Sequence, residues 1–172
     1  TDEPILPVSS VSGVPEVEIV LTSPLLRCRE TAGLLYPRLD PVLIEGVREC
    51  DFGAFEGKNY RELTGDQDYQ AWIDSGGILP FPGGESMASF TARTKEAFQR
   101  AVEDLMAGEI RRAAMIAHGG TLMAILSSCG IPKQEYYEWN CGNGCGYRVR
   151  IEEDLWKTGK KECKVEEQLC VF

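Results

Sequence analysis

Apolar residues recur along this chain with two different periods, and the switches between them lay out its elements. Thr1 to Gly13 show little periodicity and read as loop. Val17-Glu18-Ile19-Val20-Leu21-Thr22 is a β-rich run behind the turn-forming Pro15 and predicts a strand. Ser23-Pro24 then supply a helix N-cap and a proline suited to the first helical position. Leu25, Cys28, Ala32 and Leu35, spaced three, four and three apart, form one buried helical face that Tyr36-Pro37 closes. Val42 to Ile44 is a brief strand candidate, and Arg48 to Gly57 has the glycines and aromatics of a shaped loop. Asn59 to Leu63 and Asp66 to Ile73 predict two short helices, the second burying Tyr69, Trp72 and Ile73. Gly76 to Gly84 is a Gly/Pro-rich loop able to cover a site.

The strongest helical pattern follows. Ser86 caps it, Phe90, Thr94, Ala97, Phe98, Ala101, Val102 and Leu105 repeat at the helical period, and Gly108 ends it. Ala113 to Ala117 predict a strand, and Thr121 to Cys129 a compact apolar helix stopped by Gly130 and Pro132. Tyr147, Val149 and Ile151 alternate with Arg148 and Arg150, a half-exposed strand, and Asp154 to Lys160 read as a turn into a last one. This order of strands and helices predicts an α/β fold, a three-layer α/β/α sandwich on a mainly parallel sheet.

Composition narrows the partners. The 172 residues fit one domain, and 43% hydrophobic with 26% charged residues is ordinary for a globular protein. A formal net charge of -9 argues against nucleic-acid and anionic-membrane partners, which need a basic face. The one basic run, Lys157 to Lys164, reads as a solvated hairpin. No apolar stretch approaches the roughly 18 residues that span a bilayer, so a cytoplasmic location is expected. Seven cysteines in an acidic α/β chain point to free thiols in a reducing compartment. Cys141, Cys145, Cys163 and Cys170 lack a tight second pair and a nearby histidine, so zinc is the weaker reading and no metal or cofactor is expected. No cysteine has an arginine six positions later, which excludes a thiol-phosphatase loop.

The candidate chemistry gathers at two strand-to-helix junctions. Arg27 lies just after Thr22-Ser23-Pro24, and His118, the chain's only histidine, ends the strand before Gly119-Gly120. In a parallel sheet both junctions fall on the C-terminal edge, where ligands of open α/β sheets collect. An arginine fork and an imidazole beside helix-start amides such as that of Gly119 make a plausible phosphate clamp. Glu49 sits in the aromatic-rich loop, where burial would raise its pKa toward that of a general acid. Asp51 and Glu56 compete for that role, and spacing alone does not choose among the three.

Four motifs carry a resemblance that does choose. Ser23-Pro24-Leu25-Leu26-Arg27-Cys28-Arg29-Glu30-Thr31-Ala32 resembles the Ser-Pro-Leu-x-Arg-Ala-x-x-Thr-Ala segment of the histidine phosphatase (phosphoglycerate-mutase-like) superfamily. Arg48-Glu49-x-x-Phe52-Gly53-x-Phe55-Glu56-Gly57 resembles its Glu-x-x-Phe-Gly-x-Trp-Glu-Gly loop. Pro82-Gly83-Gly84-Glu85-Ser86 with Arg93, and Ala117-His118-Gly119-Gly120, follow in the family's order. The resemblance implies that Arg27 and His118 bind the transferred phosphoryl group, that Glu49 donates a proton to the leaving oxygen, and that Glu85 supports the pocket. It implies a metal-independent phosphomonoesterase acting on small phosphorylated metabolites, similar to small broad-specificity or α-ribazole-type phosphatases. The short stretch from Gly57 to Pro82 favours that over a mutase. A non-catalytic anion-binding module is the other alternative.

One departure stands out. The family's nucleophile is a histidine in an Arg-His-Gly motif ending its first strand, and this chain holds neither that motif nor a second histidine. Thr1 to Leu6 resembles the Thr-Asp-x-Pro-Leu segment found after that motif, and only Pro7 to Glu16 separate it from the Val17 strand. The expectation is a single domain over residues 1–172 whose N-terminal part is incomplete, with the nucleophile upstream of Thr1.

Overall fold

The computed structural model describes residues 13–171. The Thr1 to Leu6 segment and most of the loop expected over Thr1 to Gly13 therefore lie outside the described residues. Strand β1 (Ile19–Thr22) leads into helix α1 (Leu26–Leu35), then β2 (Val42–Leu43). Short helices α2 (Tyr60–Leu63) and α3 (Gln67–Asp74) precede the long α4 (Met87–Ala107). Strand β3 (Ala113–Ile116) feeds α5 (Gly119–Cys129), followed by β4 (Gly130–Ile131), β5 (Cys145–Arg150), α6 (Glu153–Lys157) and β6 (Cys163–Cys170).

The strands form two three-stranded sheets, β2-β1-β3 and β4-β6-β5. The first is wholly parallel, with Leu21 opposite Val42 and Thr22 opposite Ile116. In the second, β4 runs parallel and β5 antiparallel to β6. Among the described residues β3 pairs only with β1, and β5 only with β6. Met115 of β3 and Tyr147 and Val149 of β5 nevertheless pack on one apolar cluster, centred on Ile125, Leu126 and Cys129 of α5. A second cluster lies under the loops: Cys50, Phe55, Leu63, Phe81, Phe90 and Ala124, with Phe52, Tyr69 and Trp72 against it. The helix α4 bridges the two, through Phe90 in one and Phe98 in the other.

The predicted elements are present with shifted ends. The helix after β1 starts at Leu26 rather than at Pro24, and its cap residue Leu25 has no side-chain cap bond. Ser23, its N–H donating to Ile116 O at 2.9 Å, instead closes the strand, two residues before the cap position. Ser86 does cap α4, accepting from Ser89 N at 3.0 Å, and Asp66 caps α3. Ile73, expected buried, is 46% exposed, because α3 turns Tyr69 and Trp72 inward instead.

The C-terminal region corrects two expectations. Asp154 to Lys160 is not a simple turn: helix α6 forms there and buries Trp156, whose ring meets Phe98 edge-on at 6.2 Å. Burial of one large indole outweighs the weak local signal of a five-residue helix. The basic run from Lys157 to Lys164 accordingly spans the end of α6, a turn and the start of β6 rather than a hairpin. Cysteines differ too: Cys145 and Cys170 are joined as a disulfide, where free thiols were expected. The antiparallel register of β5 and β6 sets them directly opposite each other, with Cα atoms 4.1 Å apart. No helix among the described residues is long and apolar enough to cross a membrane.

Cys28, Cys50, Cys129 and Cys163 are buried thiols, whereas Cys141 is half-buried. A bulky aromatic disulfide reagent is therefore expected to titrate one thiol in the native protein and five after denaturation without reductant. More than one fast-reacting native thiol would contradict this packing.

Candidate active site

Parallel pairing of β1 with β3 carries the two strand-to-helix junctions to the same point. Thr22 lies opposite Ile116, so the chain leaves β1 through Ser23 just where it leaves β3 through Ala117 and His118. His118 is the N-cap residue of α5 in extended conformation, and its side chain turns back toward α1. There Arg27 Nη2 lies 3.0 Å from His118 Nδ1. Ser23 Oγ lies 2.8 Å from Nε2, in a fully buried setting. Cys28 Sγ rests 3.6 Å from Nε2 and 3.8 Å from Nδ1 and donates to Ala117 O at 3.3 Å. Burial, aided by the nearby Arg27 charge, pushes the His118 pKa down to about 4. The imidazole is thus neutral at physiological pH. Gly119 opens α5, so its amide has no intrahelical acceptor.

Glu49 reaches the same place from the loop before Cys50. Its Oε2 is 3.9 Å from His118 Nδ1, and its Oε1 accepts from Cys50 N at 3.1 Å. Burial raises the Glu49 pKa above the ordinary carboxyl value, partly offset by the Cys50 N–H and by Arg27. The competing carboxylates are engaged elsewhere. Asp51 Oδ1 accepts from Gly53 N at 2.9 Å and Glu56 Oε2 from Phe52 N at 3.3 Å, and both side chains belong to exposed residues. Arg27, Glu49 and His118 are therefore the expected site residues that the fold gathers.

The Glu49 loop is held from behind by an ion pair. Arg93, on α4, donates through Nε and Nη2 to the two oxygens of Glu85 at 2.8 and 2.7 Å. Its Nη1 donates to Gly46 O at 2.8 Å and Arg48 O at 3.3 Å, while Glu85 Oε2 accepts from Asp51 N at 3.1 Å. One bidentate pair thereby fixes the backbone on both sides of Glu49. Glu85 is a support, and the Arg93 hydrogen bonds hold its pKa below the ordinary value. The Pro82–Gly84 segment closes on the same loop, with Ala54 N donating to Pro82 O at 2.8 Å and Glu85 N to Asp51 O at 2.9 Å. A Cβ on Gly84 would lie 2.3 Å from Asp51 O, and one on Gly53, whose φ is +53°, 2.2 Å from Pro82 O. Only glycine admits that backbone approach.

Three neighbours of the site escaped the sequence reading. Ser23 and Cys28 were accounted for as a cap and a core position, although both flank Arg27 at the junction. Tyr136 left no signal at all; its hydroxyl donates to Gly120 O at 3.2 Å. Burial, with a smaller contribution from Glu49, pushes its pKa up to about 12. Among the described residues no group of three or more His, Cys, Asp and Glu side chains is placed to hold a metal ion.

A strand edge that presents an imidazole, a guanidinium and a carboxyl with raised pKa has the chemistry of an oxyanion site able to move a proton. The chain belongs to the histidine phosphatase superfamily, branch 1, which it matches over residues 10–163. It is 32% identical over 115 residues to the provisionally named phosphoserine phosphatase 2 of Hydrogenobacter thermophilus, covering 64% of this chain and 55% of that protein. It is 25% identical over 142 residues to the uncharacterized phosphatase PhoE of Bacillus subtilis, covering 81% and 67%. The chain thus spans little more than half the length of the first of these relatives. Among solved structures, the α-ribazole phosphatase of Shigella flexneri superposes with a TM-score of 0.72 at 21% identity, covering 91% of this chain and 74% of that one. The phosphoglycerate mutase of Thermus thermophilus gives 0.59 at 27% identity, covering 92% and 75%.

Two substitutions test the site's construction. A Cβ on Gly120 would lie 2.8 Å from Glu49 Oε1 and 3.4 Å from Tyr136 Oη. Gly120→Ala is expected to push the Glu49 carboxyl toward water and lower its pKa toward the ordinary value, read by carboxyl NMR titration. Arg93→Met removes the donor from Gly46 O and Arg48 O and unpairs Glu85, and it should lower unfolding free energy by about 1–3 kcal/mol in urea denaturation.

Proposed function

We propose that this chain forms the phosphate-binding and proton-transfer part of a metal-independent phosphomonoesterase that works through a phosphohistidine on small phosphorylated metabolites. The observation that carries this reading is the placement of Glu49: a half-buried carboxyl with raised pKa, 3.9 Å from the His118 ring that pairs with Arg27. Arg27 offers a planar fork to equatorial phosphoryl oxygens, and His118 and the Gly119 amide offer further donors. A carboxyl that stays protonated above the ordinary range can give its proton to a departing alkoxide. In the first step a P–N bond to a nucleophilic histidine forms as the P–O bond to the leaving group breaks, and Glu49 protonates that oxygen. In the second, Glu49 takes a proton from water, which attacks phosphorus and releases the histidine.

The nucleophile is assigned to a segment outside the described residues. That β3 pairs only with β1 among the described residues supports this. A parallel strand added there would end beside His118, the residue that follows β3 and Ala117. The single histidine of the chain supports a companion reading, in which the 172 residues alone bind phosphate but turn over poorly.

The test uses a chromogenic phosphomonoester and the product of the complete encoding gene. Hydrolysis is expected to survive a chelator, to trap acid-labile phosphohistidine, and to lose roughly 10²–10⁴-fold in kcat in Glu49→Gln. Because Glu49 acts as the acid, kcat should fall as pH rises through its raised pKa, a limb that the glutamine variant lacks. A gene product with no histidine besides His118 that still hydrolyses the ester would overturn the phosphohistidine mechanism.

A further inference from the structure

The hydrogen-bond chemistry around His118 determines which ring nitrogen carries its proton. Arg27 has only donors to offer, so the Nδ1 atom 3.0 Å from its Nη2 must present a lone pair. A neutral imidazole then carries its hydrogen on Nε2, and that N–H donates to Ser23 Oγ at 2.8 Å. Ser23 Oγ also accepts weakly from Leu25 N at 3.4 Å. The serine hydroxyl is therefore committed as an acceptor toward the ring. Its place is fixed by the sheet, since Ser23 N bonds Ile116 O and the residue is fully buried.

The lone-pair nitrogen faces the rest of the site. Arg27 lies against it, Glu49 Oε2 lies 3.9 Å away, and the Cys28 thiol covers the ring face. A tetrahedral oxyanion brings only lone pairs to that position, so Nδ1 as it stands would repel it. One of the Arg27 donors is meanwhile directed at the same nitrogen. The two groups expected to hold phosphate thus share a hydrogen bond with each other.

We propose that Ser23 is a positioning residue that holds His118 as the Nε2–H tautomer, so that Nδ1 is the nitrogen offered to a bound oxyanion, and that the oxyanion is held with uptake of one proton at Nδ1. The proton comes from solvent: an N–H bond forms on Nδ1, a buffer acid loses its proton, and Arg27 transfers its donors from the ring to the anion. The anion part rests on the phosphate-site reading above, whereas the tautomer part does not.

His118 is the only histidine in the chain, so histidine labelled with nitrogen-15 reports on this ring alone. In the free protein at neutral pH, Nε2 is expected to show a pyrrole-type shift and Nδ1 a pyridine-type shift. Ser23→Ala should move both signals toward an average of the two tautomers, and Ser23→Thr, which keeps the hydroxyl, should restore them. Sulfate, a dianion that does not titrate near neutrality, serves as the probe. Its binding is expected to bring Nδ1 to a protonated shift and to weaken about tenfold per unit rise in pH. Glu49→Gln should keep the Nδ1 change, which separates it from titration of the carboxyl. An Nδ1–H tautomer in the free protein, or unchanged shifts in folded Ser23→Ala, overturns the role of Ser23. Bound sulfate with a pyridine-type Nδ1 overturns the proton uptake. No response to sulfate overturns the uptake together with the phosphate-site reading, while the free-protein spectra still decide on Ser23.

Discussion

Everything at the candidate site depends on the register between β1 and β3. With Thr22 opposite Ile116, the next residues on each strand are Ser23 and Ala117, and the two chains leave the sheet side by side. A slip of one residue would turn Ser23 to the opposite face and take the hydroxyl from the imidazole. The same register places Arg27 and Cys28, in the opening turns of α1, around a histidine that lies 90 and 91 positions away in sequence. Burial of Val20 and Leu21 on one strand, and of Met115 against α5 from the other, locks that alignment. Hydrophobic packing thereby sets a polar geometry that no local interaction could specify.

A second constraint acts on the carboxyl. Glu49 stands on a loop with little regular structure, and such a loop would leave a charged side chain free to hydrate. The Arg93–Glu85 pair anchors its backbone on both sides, and the aromatic cluster around Phe52, Phe55 and Phe81 closes the space behind. The ion pair is only partly exposed, so its value lies in direction more than in free energy. The raised pKa of Glu49 follows from this support: a carboxyl can be kept from water only where its backbone cannot swing out.

Much of this was legible in the sequence. The long helix from Ser86 to Gly108 declared itself through its cap and its apolar period, and β1, β3 and α5 through runs of apolar residues bounded by glycine, proline and serine. Arg27, Glu49 and His118 were named from motif and junction position. What was not legible depends on contacts far apart in sequence. Ser23 read as a helix cap, because its commitment to the β3 ladder is invisible locally. The pairing of Cys145 with Cys170 follows from a β5–β6 register that spacing alone does not contain, and α6 owes its existence to a pocket for Trp156 built by α4. Choosing Glu49 over Asp51 and Glu56 required the resemblance first; the structure then showed the other two carboxylates engaged by their own loop.

The mutual glycines of the two loops have a wider consequence. Since Gly53 and Gly84 each lie where the other loop's backbone leaves no room for a Cβ, the Glu49 loop and the Pro82–Gly84 turn form one body. Change in the shape of this cover is then partitioned along the chain. The stretch from Asn59 to Leu79 is joined to the Glu49 loop through Leu63, Tyr69 and Trp72, and its exposed positions Tyr60, Ile73, Ile78 and Leu79 can vary without touching that cluster. From Pro82 onward the chain has no such freedom. The two halves of this cover can therefore diverge at different rates, the exposed positions open to drift and the glycine-locked turn bound to the Glu49 loop.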